Sequence, residues 1–297
     1  MHIHARSLRY FDMIRRCGSI REAARQLHVA SSAVNRQLLQ LEEEIGAPLF
    51  ERMASGLRLT PAGEVFSRHV ITVLQDEKRM FSELDMLRGV QRGSVSLAAV
   101  EGLNADFMPR VLGEMHRRYP TIRVQLQVCG SDQAALAVTQ GDADVGIGFS
   151  VGRHEGLRQV AVGYFPLGVI VPPDHPIARL PQVDFATCAA YPLILPSPEL
   201  SIHRLLQPVI AQYKRSLRVV MESSSIELAK RLVEERVGLF FQSVLGLERE
   251  LRESRLVHVP LNLPLHSELG VYVRAGRTLP AALDAFIRII GDTLDQR

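Results

Sequence analysis

The spacing of apolar positions divides the chain into a helical first part and a longer remainder in which strands and helices alternate. Leu8, Phe11 and Ile14 recur at helical spacing behind Ser7, and Gly18 ends that helix. Ser19 opens a second helix with Ile20, Ala23, Ala24 and Leu27 on one side, and Ser19 with Glu22 makes the S-x-x-E capping pattern. After His28-Val29-Ala30, either Ser31 or Ser32 caps a third helix whose Ala33, Val34, Leu38 and Leu41 face inward. Gly46-Ala47-Pro48 stops it. Leu49 to Arg52 and Leu57 to Thr60 then flank Ala54-Ser55-Gly56, the pattern of a small hairpin with a glycine turn.

Thr60 is a natural cap and Pro61 suits the first turn of a long helix running to about Arg88. Along it Phe66, Val70, Val73, Glu77, Met80, Leu84 and Leu87 alternate steps of four and three, all apolar but Glu77. A narrow seam of this kind suits two helices packed side by side; the alternative is a helix lying on its own domain's core. Gly89 to Gly93 reads as a hinge.

Beyond it, strands are expected at 95–100, 122–128, 145–149, 168–171, 193–195, 218–221, 238–241 and 270–273. Helices are expected at 107–119, 133–140, 202–213, 226–235 and 280–294. The alternation indicates βαβ units and a parallel sheet. The fold class is therefore mixed: an all-α winged helix-turn-helix with a linker helix, then an α/β domain in two lobes. The expected boundaries are 1–61, 62–89 and 93–297, with lobe I at 93–165 and 267–297 and lobe II at 166–266.

Composition adds limits. The chain has 297 residues, 46% hydrophobic and 23% charged, enough for more than one core. A net charge of +3 is too mild to argue for nucleic acid unless the charge is suitably placed. Cys17, Cys129 and Cys188 are far apart and in no C-x-x-C spacing, which suits a reducing cytoplasm better than a disulfide framework. A redox pair of Cys129 with Cys188 is the lesser alternative. No secretion signal, no membrane-length apolar run and no metal-ligand spacing among the ten His is visible, and no cofactor is called for. Enzyme motifs are missing as well: no H-E-x-x-H, no G-x-S-x-G and no phosphate-binding glycine loop. Asp142 and Asp144 sit in a Gly-Asp-Ala-Asp turn, which explains them without a paired-carboxylate site.

Residues Ile20 to Leu41 form a helix-turn-helix unit, with Ala23 and Ala24 small enough for the crossing and Leu27, Val29, Val34 and Leu38 inside. The outer face of its second helix offers Ser31, Ser32, Asn35, Arg36 and Gln37, suited to phosphates and base edges of double-stranded DNA. Arg52, Arg58 and Thr60 lie on or beside the hairpin, where a wing would touch the backbone. The acidic run Glu42-Glu43-Glu44 faces away. The bland alternative is a helical bundle whose Asn and Arg are merely solvated.

From Leu8 to about Val70 the chain resembles the N-terminal domain of LysR-type transcriptional regulators. The match is carried by Leu8-Arg9-Tyr10-Phe11, Gly18-Ser19-Ile20, Ala23 to Val29, Ala33 to Gln37, Leu41 to Gly46, Pro48 to Arg52 and Leu59 to Glu64. Phe107-Met108-Pro109, Arg118-Tyr119-Pro120, Gly141 to Ile147 and Asp174 to Ala178 fall where that family has similar motifs. The resemblance implies a winged helix-turn-helix, a dimerising linker helix and a two-lobed domain like periplasmic binding proteins. It also implies a small-molecule effector between the lobes, a homo-oligomer (dimer or tetramer) and possible contact with RNA polymerase. Two positions depart from the family pattern: Ser31 stands where a base-reading Gln is common, and Ser55 where the wing tip often has Arg.

Effector contacts are expected at Glu101, Gly102, Leu103, Asn104, Phe149, Ser201, Ser224 and Gln242, in or near loops at the carboxyl ends of strands. Glu101 stands where relatives often have Ser or Thr, which favours an effector with an amine or without a free carboxylate. The alternative is a Glu101 that faces solvent or pairs with an Arg. A solute-binding protein for transport would suit the C-terminal half, but not the helix-turn-helix.

Overall fold

The computed structural model describes residues 6–87, 93–213, 217–276 and 278–295. The chain divides into two compact units, Met1–Arg88 and Gly89–Arg297. The hinge expected at Gly89 to Gly93 falls almost wholly outside the described residues, as does the side chain of Leu87.

The first unit is built from α1 (Arg6–Cys17), α2 (Ile20–Gln26), α3 (Ser31–Ile45), the antiparallel strands β1 (Phe50–Met53) and β2 (Gly56–Leu59), and α4 (Pro61–Leu87). Ala23 and Ala24, 0% and 2% exposed, let α2 and α3 cross closely around Ile14, Val34 and Leu38. Ser19 caps α2 through the Glu22 N–H, but Glu22 turns its carboxylate to Arg25 and Gln26, so the capping box is half formed. Val29, expected inside, is exposed: His28 takes φ +55° and turns the chain outward ahead of α3.

The wing is tied to the helices at two places. The Leu57 N–H donates to Gly18 O at 2.8 Å, and the Glu42 carboxylate accepts from the Leu49 and Phe50 N–H groups at 2.7 and 3.3 Å. Glu42 therefore does structural work that its acidic run did not suggest. Gly56 sits at φ +126°, and a Cβ there would lie 2.6 Å from Gly18 O. No other residue fits that corner without moving the turn.

Phe66 and Val70 of α4 pack on a second small core with Phe11, Leu41 and Leu49, and Val70 is fully buried. The N-terminal part of the proposed seam is thus occupied by the unit's own core. Glu77, its polar exception, is also buried and pairs with Arg9.

The second unit runs β3 (Gly93–Ala99), α5 (Phe107–Arg118), β4 (Ile122–Val128), α6 (Ser131–Thr139), β5 (Val145–Phe149), β6 (Leu157–Val171), α7 (Phe185–Ala189), β7 (Pro192–Pro196), α8 (Ser201–Tyr213), β8 (Arg218–Ser223), α9 (Ile226–Glu234), β9 (Phe240–Ser243), α10 (Glu248–Arg252), β10 (Val257–Pro260), β11 (His266–Arg274) and α11 (Ala281–Asp295). A short 3-10 turn, Glu101–Leu103, follows β3.

The sheet is mixed, not parallel. Its order is β10-β6-β11-β5-β3-β4, with β9 also on β6. Within it β3 pairs parallel with β4 and β5; β11 returns antiparallel between β5 and β6, and β9 and β10 flank the far end of β6 antiparallel, while β7 and β8 form a separate parallel pair. The long strand β6 runs from one hydrophobic core to another, and β11 pairs with its first part. One core gathers Val95, Leu97, Phe107, Ile147, Phe165, Leu269 and Phe286. The other gathers Leu167, Val169, Phe185, Leu193, Ile226, Phe240 and Leu261. These are lobes I and II, and β6 passes from one to the other.

Candidate DNA-binding surface and effector cleft

In the first unit, α3 has one locked side and one open side. Val34, Leu38 and Leu41 are buried, while Ser31, Ser32 and Arg36 are exposed, with Asn35 and Gln37 half-exposed beside them. Neither Ser31 nor Ser32 caps the helix. The N-cap is Ala30, which offers no side-chain acceptor, and the serines occupy the first helical turn. The leading N–H groups of α3 and its positive dipole end therefore face outward beside two hydroxyls, an arrangement that favours a phosphate. Arg36 has no hydrogen-bond or ion-pair partner among the described residues, so its guanidinium is available to a base edge or a phosphate.

On the wing, Arg52 and Arg58 are both exposed. Arg58 pairs with the cross-strand Glu51 at 3.2 Å. A solvated pair of this type is worth little, so exchanging the carboxylate for a phosphate costs little. Thr60 differs from the others. Its hydroxyl donates to Pro48 O at 2.7 Å and accepts from the Gly63 N–H at 3.0 Å, capping α4. It belongs with the framework of the wing rather than with its free donors.

In the second unit a cavity of about 370 Å³ opens between the lobes. Of the residues expected there, Glu101, Gly102, Phe149, Ser201 and Ser224 line it. Three do not. Leu103 is fully buried in lobe I's core, because the 3-10 turn points it inward, and Asn104 follows that turn away from the cavity. Gln242 is 2% exposed in β9, its amide donating to Leu245 O at 3.4 Å. Nearby, Gly246 takes φ +83°, and a Cβ on it would lie 2.1 Å from Gly102 O.

Cys129, Ser131 and Ile226, to which the sequence did not point, also line the cavity, as do Glu199 and Ser225 of the loops after β7 and β8, which the sequence did offer as ligand positions. The Ser223-Ser224-Ser225 run carries the signal for Ile226, since a Ser ahead of a helical pattern is a cap. Ser225 indeed caps α9, accepting from the Leu228 N–H at 3.2 Å.

Glu101 is half-buried and meets no Arg among the described residues. Its Oε1 accepts from the Ser225 hydroxyl at 2.8 Å and its Oε2 from the Ile226 N–H at 2.9 Å, so a lobe I carboxylate sits on the N-terminus of a lobe II helix. Nearby, Arg204 of α8 reaches Asp132 of α6 at 3.1 Å, a second contact between the lobes.

The other candidate chemistry is accounted for structurally. Asp144 accepts from the Ser96 N–H and hydroxyl, both at 2.8 Å, and stitches β5 to β3. Cys188 lies in lobe II's core, where burial pushes its thiol up to about 12, and Cys129 packs beside Ala98 and Ala134 of lobe I. All three cysteines are free thiols. No helix among the described residues is long and apolar enough to cross a membrane.

Comparison with known proteins finds a family model for each of the two units. The family model for the bacterial regulatory helix-turn-helix protein of the lysR family matches residues 5–64. The LysR substrate binding domain matches residues 88–295, more than half of the chain. The protein belongs to the LysR family: it is a DNA-binding transcriptional regulator with an effector-binding domain, and not an enzyme.

A RuBisCO operon transcriptional regulator of Allochromatium vinosum is 29% identical over 287 residues, covering 96% of this chain and 95% of its own. A probable RuBisCO transcriptional regulator of Cyanidioschyzon merolae is 31% identical over 250 residues, covering 82% of each. Among solved structures, a full-length OxyR variant from Pseudomonas aeruginosa superposes with a TM-score of 0.73 at 18% identity, covering 99% of this chain and 95% of that one. The effector binding domain of QuiR in complex with shikimate gives 0.58 at 14% identity, covering 69% of this chain and 99% of that one. The structural likeness establishes the fold, including its two lobes.

Proposed function

We propose that the chain reads a specific operator through α3 and adjusts that engagement when a small molecule enters the cavity between lobes I and II. In this reading Asn35, Arg36 and Gln37 face base edges, Ser31 and Ser32 hold a phosphate at the open N-terminus of α3, and Arg52 and Arg58 follow the backbone from the wing. The observation that carries it is the division of α3 into a face locked by Val34, Leu38 and Leu41 and an uncapped, cation-bearing face left to solvent.

Residues 1–61 serve as the DNA-binding domain, 62–89 as the linker helix and 93–297 as the effector domain. Because Phe66 and Val70 are taken up internally, pairing of linker helices falls to the later positions Val73, Met80, Leu84 and Leu87. The working form is a homotetramer in the cytoplasm, and an activating role would bring it against RNA polymerase. The similarity to RuBisCO operon regulators makes the promoter of such an operon, with that of the protein's own gene, the first candidate target.

Footprinting on both promoters, with random duplex as competitor, tests the proposal. A protected region built of half-sites about one helical turn apart, or a multiple of it, is the expected result. Uniform binding that the competitor removes would count against a sequence-reading role.

A further inference from the structure

Helix α9 of lobe II is tied to lobe I at two places that differ in kind. One is at its body. Lys230, fully buried, pairs with Glu227 at 2.6 Å and with Glu250 at 3.2 Å, and donates to Gly246 O at 3.0 Å. The segment it grips crosses between the lobes: Leu245 is buried in lobe I's core and Leu247 in lobe II's, and Gly246 between them lies against Gly102. Drawing Leu245 out of that core, or Gly246 O away from a buried ammonium, is costly.

The other is at its N-terminus, where the Glu101 carboxylate bonds the Ser225 hydroxyl and the Ile226 N–H. The unpaired N–H groups and positive dipole end of a helix favour a carboxylate there. Glu101, Ser225 and Ile226 all line the cavity, however, so water or an occupant can reach both sides of the contact and replace its hydrogen bonds. The ion pair of Arg204 with Asp132, also between the lobes, has side chains 55% and 63% exposed and adds little.

We infer that the lobes are joined by a fixed pivot and a breakable latch. Leu245 and Lys230 hold the body of α9 on lobe I, and Glu101 holds its N-terminus; when Glu101 lets go, α9 tips about the pivot and the cavity widens. The latch is built from the chain's own residues, so the width of the cavity does not wait on a bound molecule. An occupant would act by competing for the Glu101 contact, a step that rests on the effector cavity proposed above.

Cys129 lines the cavity and reports its width. Burial raises its thiol pKa, which slows alkylation while the cavity is narrow. The test is N-ethylmaleimide labelling of the full chain with no other small molecule added, read at each cysteine by peptide mass spectrometry, for wild type, Glu101→Ala and Glu101→Gln. Glu101→Gln keeps the side chain's volume, so faster labelling there does not come from a hole in the wall. Cys17 of the first unit is the reference, and Cys188 in lobe II's core shows whether a variant is folded. If Glu101→Ala exposes Cys188, Glu101→Gln carries the comparison. The expected result is Cys129 labelling faster by about tenfold in Glu101→Ala and by about threefold or more in Glu101→Gln, with Cys17 unchanged. A rise below about threefold in Glu101→Gln overturns the inference even if Glu101→Ala labels faster, because a hole alone would do that. Footprints are read separately, so an intact footprint beside a failed labelling test removes this inference alone.

Discussion

Arg9 of α1 pairs with Glu77 of α4 at 3.0 Å, and the Glu77 side chain is only 4% exposed. The pair explains the one polar position in an otherwise apolar row: Glu77 is an internal anchor between the first helix and the long one. Removing the cation takes a charged partner from a buried carboxylate. Arg9→Ala is expected to lower the unfolding free energy of the N-terminal unit by about 1–3 kcal/mol, read by urea denaturation. An Arg9→Ala midpoint within error of wild type would show that the pair contributes nothing.

The same helix separates folding from assembly. Val70 is fully buried against Phe11, Leu41 and Leu49, whereas Leu84 is 39% exposed in the described chain. Val70→Asp is expected to cost about 3 kcal/mol or more and to lose the folded N-terminal unit. Leu84→Glu is expected to leave the fold intact and reduce the mass measured by light scattering. An unchanged mass for Leu84→Glu would remove that position from the oligomer contact.

Gly56→Ala tests the wing. Its φ of +126° and the 2.6 Å approach to Gly18 O leave no room for a methyl group. The substitution should destabilise the hairpin by more than about 1 kcal/mol and weaken DNA binding without touching α3. Wild-type affinity and stability together would show that the turn tolerates a side chain.

His258 gives a pH dependence with a defined sign. Burial lowers its pKa below 6.5, although its Nε2 still donates to Gln242 O at 3.0 Å. The unfolded chain therefore takes up a proton before the folded one does. The associated stability is present in full above pH 6.5 and is lost as pH falls from there through the depressed folded value. Thermal melts of wild type and His258→Gln over that interval should diverge, the variant falling less steeply. Parallel curves would assign the acid sensitivity to other groups.

The helices of the first unit and most strands of the second were legible because their apolar periods are local. What the sequence concealed depends on distant partners. Only the last four residues of β6 were expected, since Gly168–Val171 form a buried apolar run while the earlier part alternates and is held by β11, far along the chain. The parallel pairing holds for β3 with β4 and β5 and for β7 with β8, but the antiparallel return of β11 was hidden for the same reason: nothing near Val271 announces that it lies against Ile147. The candidate cleft shows the same limit. Glu101 was singled out as unusual, but its acceptor role on Ser225 and Ile226 spans more than a hundred residues. Leu103 was misplaced because a 3-10 turn reverses the side of the chain it faces.

The measurement that bears most directly on the regulator is equilibrium binding of wild type and Arg36→Ala to a footprinted site and to random duplex, across a salt series. Arg36→Ala is expected to lose about 1–3 kcal/mol on the specific site and little on random DNA, narrowing the ratio between them. Equal losses on both, with a salt slope smaller by about one phosphate contact, would contradict this and make Arg36 a backbone contact only.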